Sequence, residues 1–257
     1  TGPDQSVRRV RRHSVMRALV VVPTHNEEDN IADVLDALGR HVPEADVLVV
    51  DDASTDATRA IVAERDVRLI ERSEKRGLGD AYVFAFGLAL AEGYDAVAQI
   101  DADRSHDPAV LPTMLDLTRR GIDVVIGSRY IPGGAVVGWP RRRTWLSRWG
   151  NRYAAIALGL AINDATAGYR VYRAPALRRL DLDAIRAEGY GFQIEMTYRA
   201  VAAGCSIVEV PITFRDRVAG ASKMSGNIIR EAFLLVTWWA ISDAISLRRR
   251  RRAYNEN

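Results

Sequence analysis

Short valine- and alanine-rich runs alternate with amphipathic segments along most of this chain, and each run ends in a polar cluster. Arg17 to Val22 is almost unbroken apolar sequence, suited to a strand covered on both faces. It stops at Pro23-Thr24-His25-Asn26-Glu27-Glu28, where Asn26 is placed to cap a helix with Glu27, Glu28 and Asp29 in its first turn. Ile31, Val34, Leu35 and Leu38 recur at helical spacing, and Gly39 marks the expected end. Val47 to Val50 predicts a second strand, closed by Asp51-Asp52-Ala53-Ser54-Thr55-Asp56. A helix from about Asp56 to Glu64 and a strand over Val67 to Glu71 follow. The loop Glu74-Lys75-Arg76-Gly77-Leu78-Gly79 leads into a helix over Asp80 to Ala91, and the next strand runs into Asp101-Ala102-Asp103.

Beyond that point Pro108 to Arg119 reads as helix, and Asp123 to Ile126 as a strand ending in Gly127-Ser128-Arg129-Tyr130. A Pro132-Gly133-Gly134 loop, a helix over 144–161, a polar turn from Asp164 to Arg170 and a short strand come next. Ile207 to Phe214 reads as one strand whose Pro211 places it at a sheet edge. Arg215 to Lys223 reads as loop, and a last helix spans about Asn227 to Leu247. Strands alternating with helices imply an α/β fold with a parallel sheet and crossover helices. The polar clusters fall at the carboxyl ends of strands, where open α/β sheets bind ligands.

Asp101 and Asp103 carry the first chemical expectation. In an extended chain residues two apart point to the same side, so the two carboxylates should face one point. Like charges repel, and burying them is costly. A hard divalent cation relieves both problems, and Mg²⁺ typically takes one or two carboxylates plus substrate phosphates. The alternative is a plain surface turn.

Composition narrows the class. At 48% apolar and 27% charged residues, the chain is that of a globular protein. The single cysteine, Cys205, leaves no internal disulfide. Residues 1–15 are polar and basic, without the apolar segment of a signal peptide, and are expected to be a disordered tail. The net charge is only +3, but arginines gather at Arg8 to Arg12, at Arg141 to Arg152 and at Arg248 to Arg252. Such clusters point to an anionic partner, namely nucleic acid, a membrane surface or phosphates. A phosphate-loop motif, a dinucleotide fingerprint and an HExxH zinc motif are all missing from the sequence.

Taken in order, Pro23-Thr24-His25-Asn26-Glu27, Val50-Asp51-Asp52-Ala53-Ser54, Arg76-Gly77-Leu78-Gly79, Asp101-Ala102-Asp103, Gly127-Ser128-Arg129-Tyr130 and Asp216 to Lys223 resemble family 2 glycosyltransferases. The nearest resemblance is to dolichol- or polyprenol-phosphate mannose synthases. It covers about residues 17 to 230 and implies a GT-A fold, with a catalytic domain over 16–226 and an amphipathic helix and arginine-rich tail over 227–257. It further implies a GDP-mannose donor, Mg²⁺ or Mn²⁺, and a polyprenyl monophosphate acceptor, with no nucleic acid among the partners.

Carried over residue by residue, the resemblance places Pro23, His25, Glu27, Val50 and Asp52 at the donor's base and ribose, with Gly79 and Ala102 also on the donor side. His25 stands where a tyrosine is common, and Arg104 where relatives carry an aliphatic residue. Asp101, Asp103 and Ser105 take the metal positions, and Asp103 and Arg129 the catalytic ones. Arg129, Arg143 and Ser147 hold the acceptor phosphate, while Arg129, Arg217 and Lys223 face the donor diphosphate. Between Asp51 and Asp52, one is expected to hold the loop and Asp52 to meet the ligand. His106 could touch a metal or be purely structural.

The implied reaction is one inverting displacement by a phosphate oxygen, already largely dianionic at pH 7 with a second pKa of about 6, so no strong general base is required. Competing readings are another nucleotide sugar such as UDP-glucose, or a catalytically silent nucleotide-sugar-binding scaffold. The stretch from Ala232 to Ile241 is about 15 Å long as a helix, half of a bilayer's hydrocarbon. It is expected to lie on a membrane surface or on a membrane-embedded partner, with Trp139, Trp145 and Trp149 as a second contact. The expectation is a peripheral protein at the cytoplasmic face.

Overall fold

The computed structural model describes residues 16–185, 187, 189–216 and 233–242, without the Tyr190 side chain. Arg217, Lys223, the tail at 1–15 and most of 227–257 lie outside the described residues. Nine strands are present among the described residues. β1 (Ala18–Thr24), β2 (Asp46–Asp51), β3 (Arg68–Glu71), β4 (Ala96–Gln99), β5 (Val124–Ser128), β7 (Arg170–Arg173) and β8 (Ile207–Pro211) form one sheet in the order β3-β2-β1-β4-β7-β5-β8. β6 (Ala135–Val137) and β9 (Thr213–Arg215) pair in parallel as a small second sheet. The large sheet is parallel except for β7, which runs antiparallel to both β4 and β5.

The helices are α1 (Ile31–His41), α2 (Thr58–Ala63), α3 (Leu78–Ala91), α4 (Leu111–Arg119), α5 (Arg141–Ala157), α6 (Ala174–Arg179), α7 (Gly189–Ala202) and a helical stretch over 233–242, here α8. The β1 run shows how an all-apolar strand divides its residues. Leu19 and Val21 join one core layer with α3, α6, α7 and Val236 of α8. Ala18, Val20 and Val22 join the other with α1, α2 and α4. Alternation across the pleat sends successive side chains to opposite faces, so both must be greasy.

Several expectations are corrected. Asn26 does not cap α1: it sits at φ 56°, and its side-chain oxygen accepts the Thr55 N–H at 2.8 Å. Gly39 does not end α1: it lies on the exposed side, the helix continues to His41, and Val42 is buried just beyond it. The predicted strand over 207–214 breaks after Pro211 into β8, at the sheet edge as expected, and β9 in the second sheet. The 108–119 helix opens with a single 3-10 turn at Pro108–Val110, and α5 begins at Arg141.

β7 positions the site. Running against its neighbours, it begins at the edge where the parallel strands end, so the 164–169 turn joins the clusters after β1, β2, β4 and β5. Gly134 shows how tightly this edge is built. A Cβ there would lie 2.6 Å from the Ser128 carbonyl oxygen and 2.8 Å from the Arg129 carbonyl carbon, backbone atoms that cannot move aside cheaply. Gly134→Ala should therefore destabilise by about 1–3 kcal/mol in urea denaturation. Gly150→Ala within α5 meets nothing within 4 Å and should be neutral or stabilising, as expected for a helix-interior glycine.

Candidate active site

At the ends of β1 and β2, both acidic residues of the Asp51-Asp52 pair hold loops. Asp51 is fully buried and accepts the Ser54 N–H at 2.9 Å, the Ser54 hydroxyl, and the Thr24 hydroxyl at 3.0 Å. Asp52 accepts the Arg76 N–H at 2.9 Å on one oxygen and the Gly77 N–H at 2.8 Å on the other. The expected division, with only one of them holding a loop, is thus corrected. Gly77 at φ 95° turns the chain so that both N–H groups reach one carboxylate.

His25 Nδ1 lies 2.8 Å from the Asp52 carbonyl, which can only accept, so Nδ1 carries the proton. Glu27 accepts from the Asn30 amide at 3.1 Å, and Pro23 is half-buried beside it in sequence. Val50 is fully buried in the core, so its side chain serves packing and only its backbone can face a donor. Gly79 is also a packing position: a Cβ there would lie 3.0 Å from the Ala187 carbonyl and 3.3 Å from the Phe192 ring.

β4 stops at Gln99, so Asp101-Ala102-Asp103 forms a turn rather than the last strand residues. Arg104 at φ 63° completes it and pairs outward with Asp33 of α1 at 2.8 Å. Asp101 is caged by the Tyr82 hydroxyl at 3.5 Å, His106 Nε2 at 3.3 Å and the backbone of Gly168, where an added Cβ would sit 3.2 Å from its carboxylate. Burial, then the Asp101 charge, push the Tyr82 phenol well above its ordinary range, so it remains a donor. His106 is fixed between Tyr169 and Phe214, its ring centre 5.1 and 5.3 Å from theirs.

Asp103 is buried, and one of its oxygens accepts the Ser105 N–H at 3.0 Å. The Ser105 hydroxyl is buried with no hydrogen-bond partner among the described residues. This hard oxygen set fits a divalent cation. Among the described residues no three His, Cys, Asp or Glu side chains converge on one point, so the rest of a coordination shell would come from substrate oxygens and water.

Arg129 follows β5 and is itself buried. Its Nε and Nη2 reach the two oxygens of Asp164 at 2.7 and 2.6 Å, its own backbone N–H reaches the same carboxylate at 3.0 Å, and Nη2 also donates to Thr166 at 2.8 Å. Arg129 thus organises this edge, its Nε–Nη2 fork engaged by Asp164. Arg143 and Ser147 do share a face of α5. Arg143 contacts Asp216 at 3.1 Å and lies over the Trp139 ring at 4.0 Å. The Ser147 hydroxyl accepts from Tyr130 at 2.7 Å, and the Tyr130 ring lies under Arg148 at 4.8 Å. α5 carries five arginines and no acidic residue, and Arg141, Arg142, Arg148 and Arg152 are exposed.

Sequence reasoning missed Asp164 as the Arg129 partner, Tyr82, and the whole of α7. It also missed Arg170, fully buried, whose guanidinium donates to the Ala165 and Ala167 carbonyls at 2.7 and 2.8 Å and to Thr197 at 2.9 Å. An arginine directly before the apolar pair Val171-Tyr172 was the one available signal.

Burial pushes the Asp164 carboxyl up, but the adjacent Arg129 charge and the hydrogen bonds from Arg129 and Thr166 outweigh it and hold it below the usual range. A depressed carboxyl contributes stability above its unfolded pKa of about 3.9, lost as pH falls through the folded value. Asp164→Ala should cost about 3–5 kcal/mol at pH 7, because it strands a buried guanidinium. The gap in urea midpoint between the protein and Asp164→Asn should narrow once pH falls below about 4.

A family model described as "Glycosyl transferase family 2" matches residues 19–181. An "Undecaprenyl-phosphate mannosyltransferase" of Micrococcus luteus is 48% identical over 232 residues, covering 88% of this chain and 95% of that protein. A "Polyprenol monophosphomannose synthase" of Mycolicibacterium smegmatis is 46% identical over 231 residues, covering 88% and 87%. Among solved structures, glucosyl-3-phosphoglycerate synthase from Mycobacterium tuberculosis, in complex with Mn²⁺, UDP and phosphoglyceric acid, superposes with a TM-score of 0.68 at 22% identity, covering 88% of this chain and 78% of that one. At that identity the likeness bears on the fold, and the fold is GT-A.

Proposed function

The chain belongs to glycosyl transferase family 2, and we propose that it moves mannose from GDP-mannose to a polyprenyl monophosphate, giving a β-linked mannosyl phosphopolyprenol. The observation that carries this reading is the 46–48% identity to two polyprenyl-phosphate mannosyltransferases across 88% of the chain. The geometry supports it by gathering an acidic turn and an arginine-rich helix at one sheet edge, a division suited to a metal-bound diphosphate on one side and a phosphate nucleophile on the other.

In the proposed reaction a phosphate oxygen of the acceptor forms a bond to the anomeric carbon as the bond to the donor's diphosphate breaks. The electron pair leaves on GDP and the centre inverts. Arg143 and Arg148 hold and orient the acceptor phosphate through charged, forked guanidinium donors. Arg129 fixes the edge on which they stand. Asp101, Asp103 and Ser105 hold Mg²⁺ or Mn²⁺, which when bound neutralises charge gathering on the leaving diphosphate. Pro23, His25, Glu27 and Asp52, with Ala102 and the turn at Gly77, line the donor side. Arg217 and Lys223 add positive charge there.

The acceptor is a lipid, and the surface beside α5 suits one. α8 packs inward through Val236 and Trp239, and Phe233 stacks on Tyr153 of α5 with ring centres 4.6 Å apart. Leu234, Trp238 and Ile241 remain exposed on α8, next to exposed Trp145, Trp149 and Ile156 on α5. Among the described residues no helix is long and apolar enough to cross a membrane. This face, edged by the exposed arginines of α5, supports a peripheral site on an anionic leaflet such as the cytoplasmic one, where each arginine contributes about 1 kcal/mol. A membrane-embedded partner protein is compatible with the same surface.

GDP-mannose with Mg²⁺ or Mn²⁺ should raise the melting temperature, UDP-sugars much less, and Asp103→Ala should abolish both the metal-dependent shift and mannose transfer. A UDP-sugar shift of equal size would sink the donor assignment. Separately, the protein should float with anionic vesicles but weakly with zwitterionic ones. Trp145→Ser with Trp238→Ser should lose most of the flotation, since both side chains are already exposed and their loss leaves the core intact.

A further inference from the structure

We propose that Asp216 is a positioning residue for the acceptor phosphate: it pins one corner of the Arg143 guanidinium so that the opposite edge stands ready as a two-donor fork. The inference rests on the reading above, in which Arg143 holds that phosphate.

Asp216 directly follows β9 and is itself held in place. Its backbone N–H donates to the Val137 carbonyl at 2.9 Å. Its Cβ lies against Gly138, where an added Cβ would approach to 2.9 Å, and Gly138 is at φ 91°. One carboxylate oxygen then accepts two donors, Trp139 Nε1–H at 3.2 Å and Arg143 Nη1 at 3.1 Å. The Trp139 ring supports the flat face of the same guanidinium at 4.0 Å. The plane and one corner of Arg143 are therefore fixed by neighbours that are fixed themselves.

What remains of the guanidinium is informative. A planar guanidinium offers five N–H groups in a rigid layout, and Nε–H with the adjacent Nη2–H forms its side-on fork. Arg143 Nε is buried with no hydrogen-bond partner, and Nη2 meets no acceptor among the described residues. A buried donor left unpaired is costly, and in a native protein it marks the place of a missing partner. A phosphate presents paired oxygens to such an edge. Asp216 is too firmly tied to Trp139 and Val137 to be a stand-in that departs when phosphate arrives. It stays and sets the angle.

The carboxylate also acts by charge, which opposes phosphate binding, so two substitutions separate the roles. Asp216→Ala removes the pin and the charge. Asp216→Asn removes the charge and keeps an oxygen able to accept from Trp139 and Arg143. Mannose transfer to farnesyl phosphate gives KM and kcat, and quenching of tryptophan fluorescence gives farnesyl phosphate binding directly. Asp216→Ala should raise the acceptor KM and the dissociation constant about tenfold, equivalent to about 1.4 kcal/mol, with kcat and the GDP-mannose KM within about twofold. Asp216→Asn should restore both acceptor constants to within about threefold of the unaltered protein. If Asp216→Ala fails to fold, Asp216→Ser, one bond too short to reach Arg143, takes its place with the same expectation.

Unchanged or tighter acceptor binding in the alanine or serine variant, an equal rise in the donor KM, or an asparagine variant as poor as alanine would each overturn the pin. In those cases transfer by the unaltered protein leaves the parent reading standing. An unaltered protein that neither binds farnesyl phosphate nor transfers mannose to it overturns both.

Discussion

The buried pair between Arg129 and Asp164 is the joint on which the site turns. It ties the end of β5 to the turn before β7, and it does so with both carboxylate oxygens and three N–H groups. Removing two charges from water is expensive, and the cost is offset here only because nearly every lone pair is used. The result is directional. A bidentate guanidinium–carboxylate contact tolerates little rotation, so the 164–169 turn is held at one angle to the sheet. Arg170 tightens the same turn from below through two of its carbonyls. From that turn Gly168 projects its backbone against Asp101. The acidic turn after β4 and the arginine helix α5 are thus set against each other through one rigid connector.

A second theme is that carboxylates at this edge work mostly on backbone. Asp51, Asp52 and Asp103 all accept main-chain N–H groups, Asp51 and Asp103 within their own turns and Asp52 from a loop more distant in the chain. Such bonds hold a short polar loop in shape without apolar packing. They let the site be polar and rigid together, which a binding surface for a charged substrate needs.

The α5–α8 surface follows from a different logic. Trp149, Tyr153 and Phe233 stack in one layer, which fastens α8 to α5 while Leu234, Trp238 and Ile241 stay exposed. A water-facing helix would place charge at 234, 238 and 241. Here the charge is displaced to the neighbouring helix as the exposed Arg141, Arg142, Arg148 and Arg152, and a layered boundary of aromatic and basic groups is the chemistry of a headgroup region.

Much of the element order was legible in the sequence, because unbroken apolar runs and period-3.6 patterns report burial directly, as in β1 and in α1 and α4. The strand-end motifs were legible for the same reason: polar residues that interrupt apolar strands cluster at one edge of a parallel sheet. The reversal of β7 was not readable, since a four-residue strand with an arginine at each end looks alike in either direction. α7 was obscured because its buried face carries Gln193, Glu195 and Thr197 among apolar neighbours, which erases the hydrophobic stripe. Nor were the partners of the charged residues readable. Asp164 and Asp216 lie 35 and 73 positions from the arginines they hold, and nothing local distinguishes them from solvated acids. The sequence by itself determined which chemistries the edge contains. Tertiary structure alone decided which charge each residue spends on its neighbour and which it keeps for a substrate, because that choice depends on distances across the chain that no local pattern encodes.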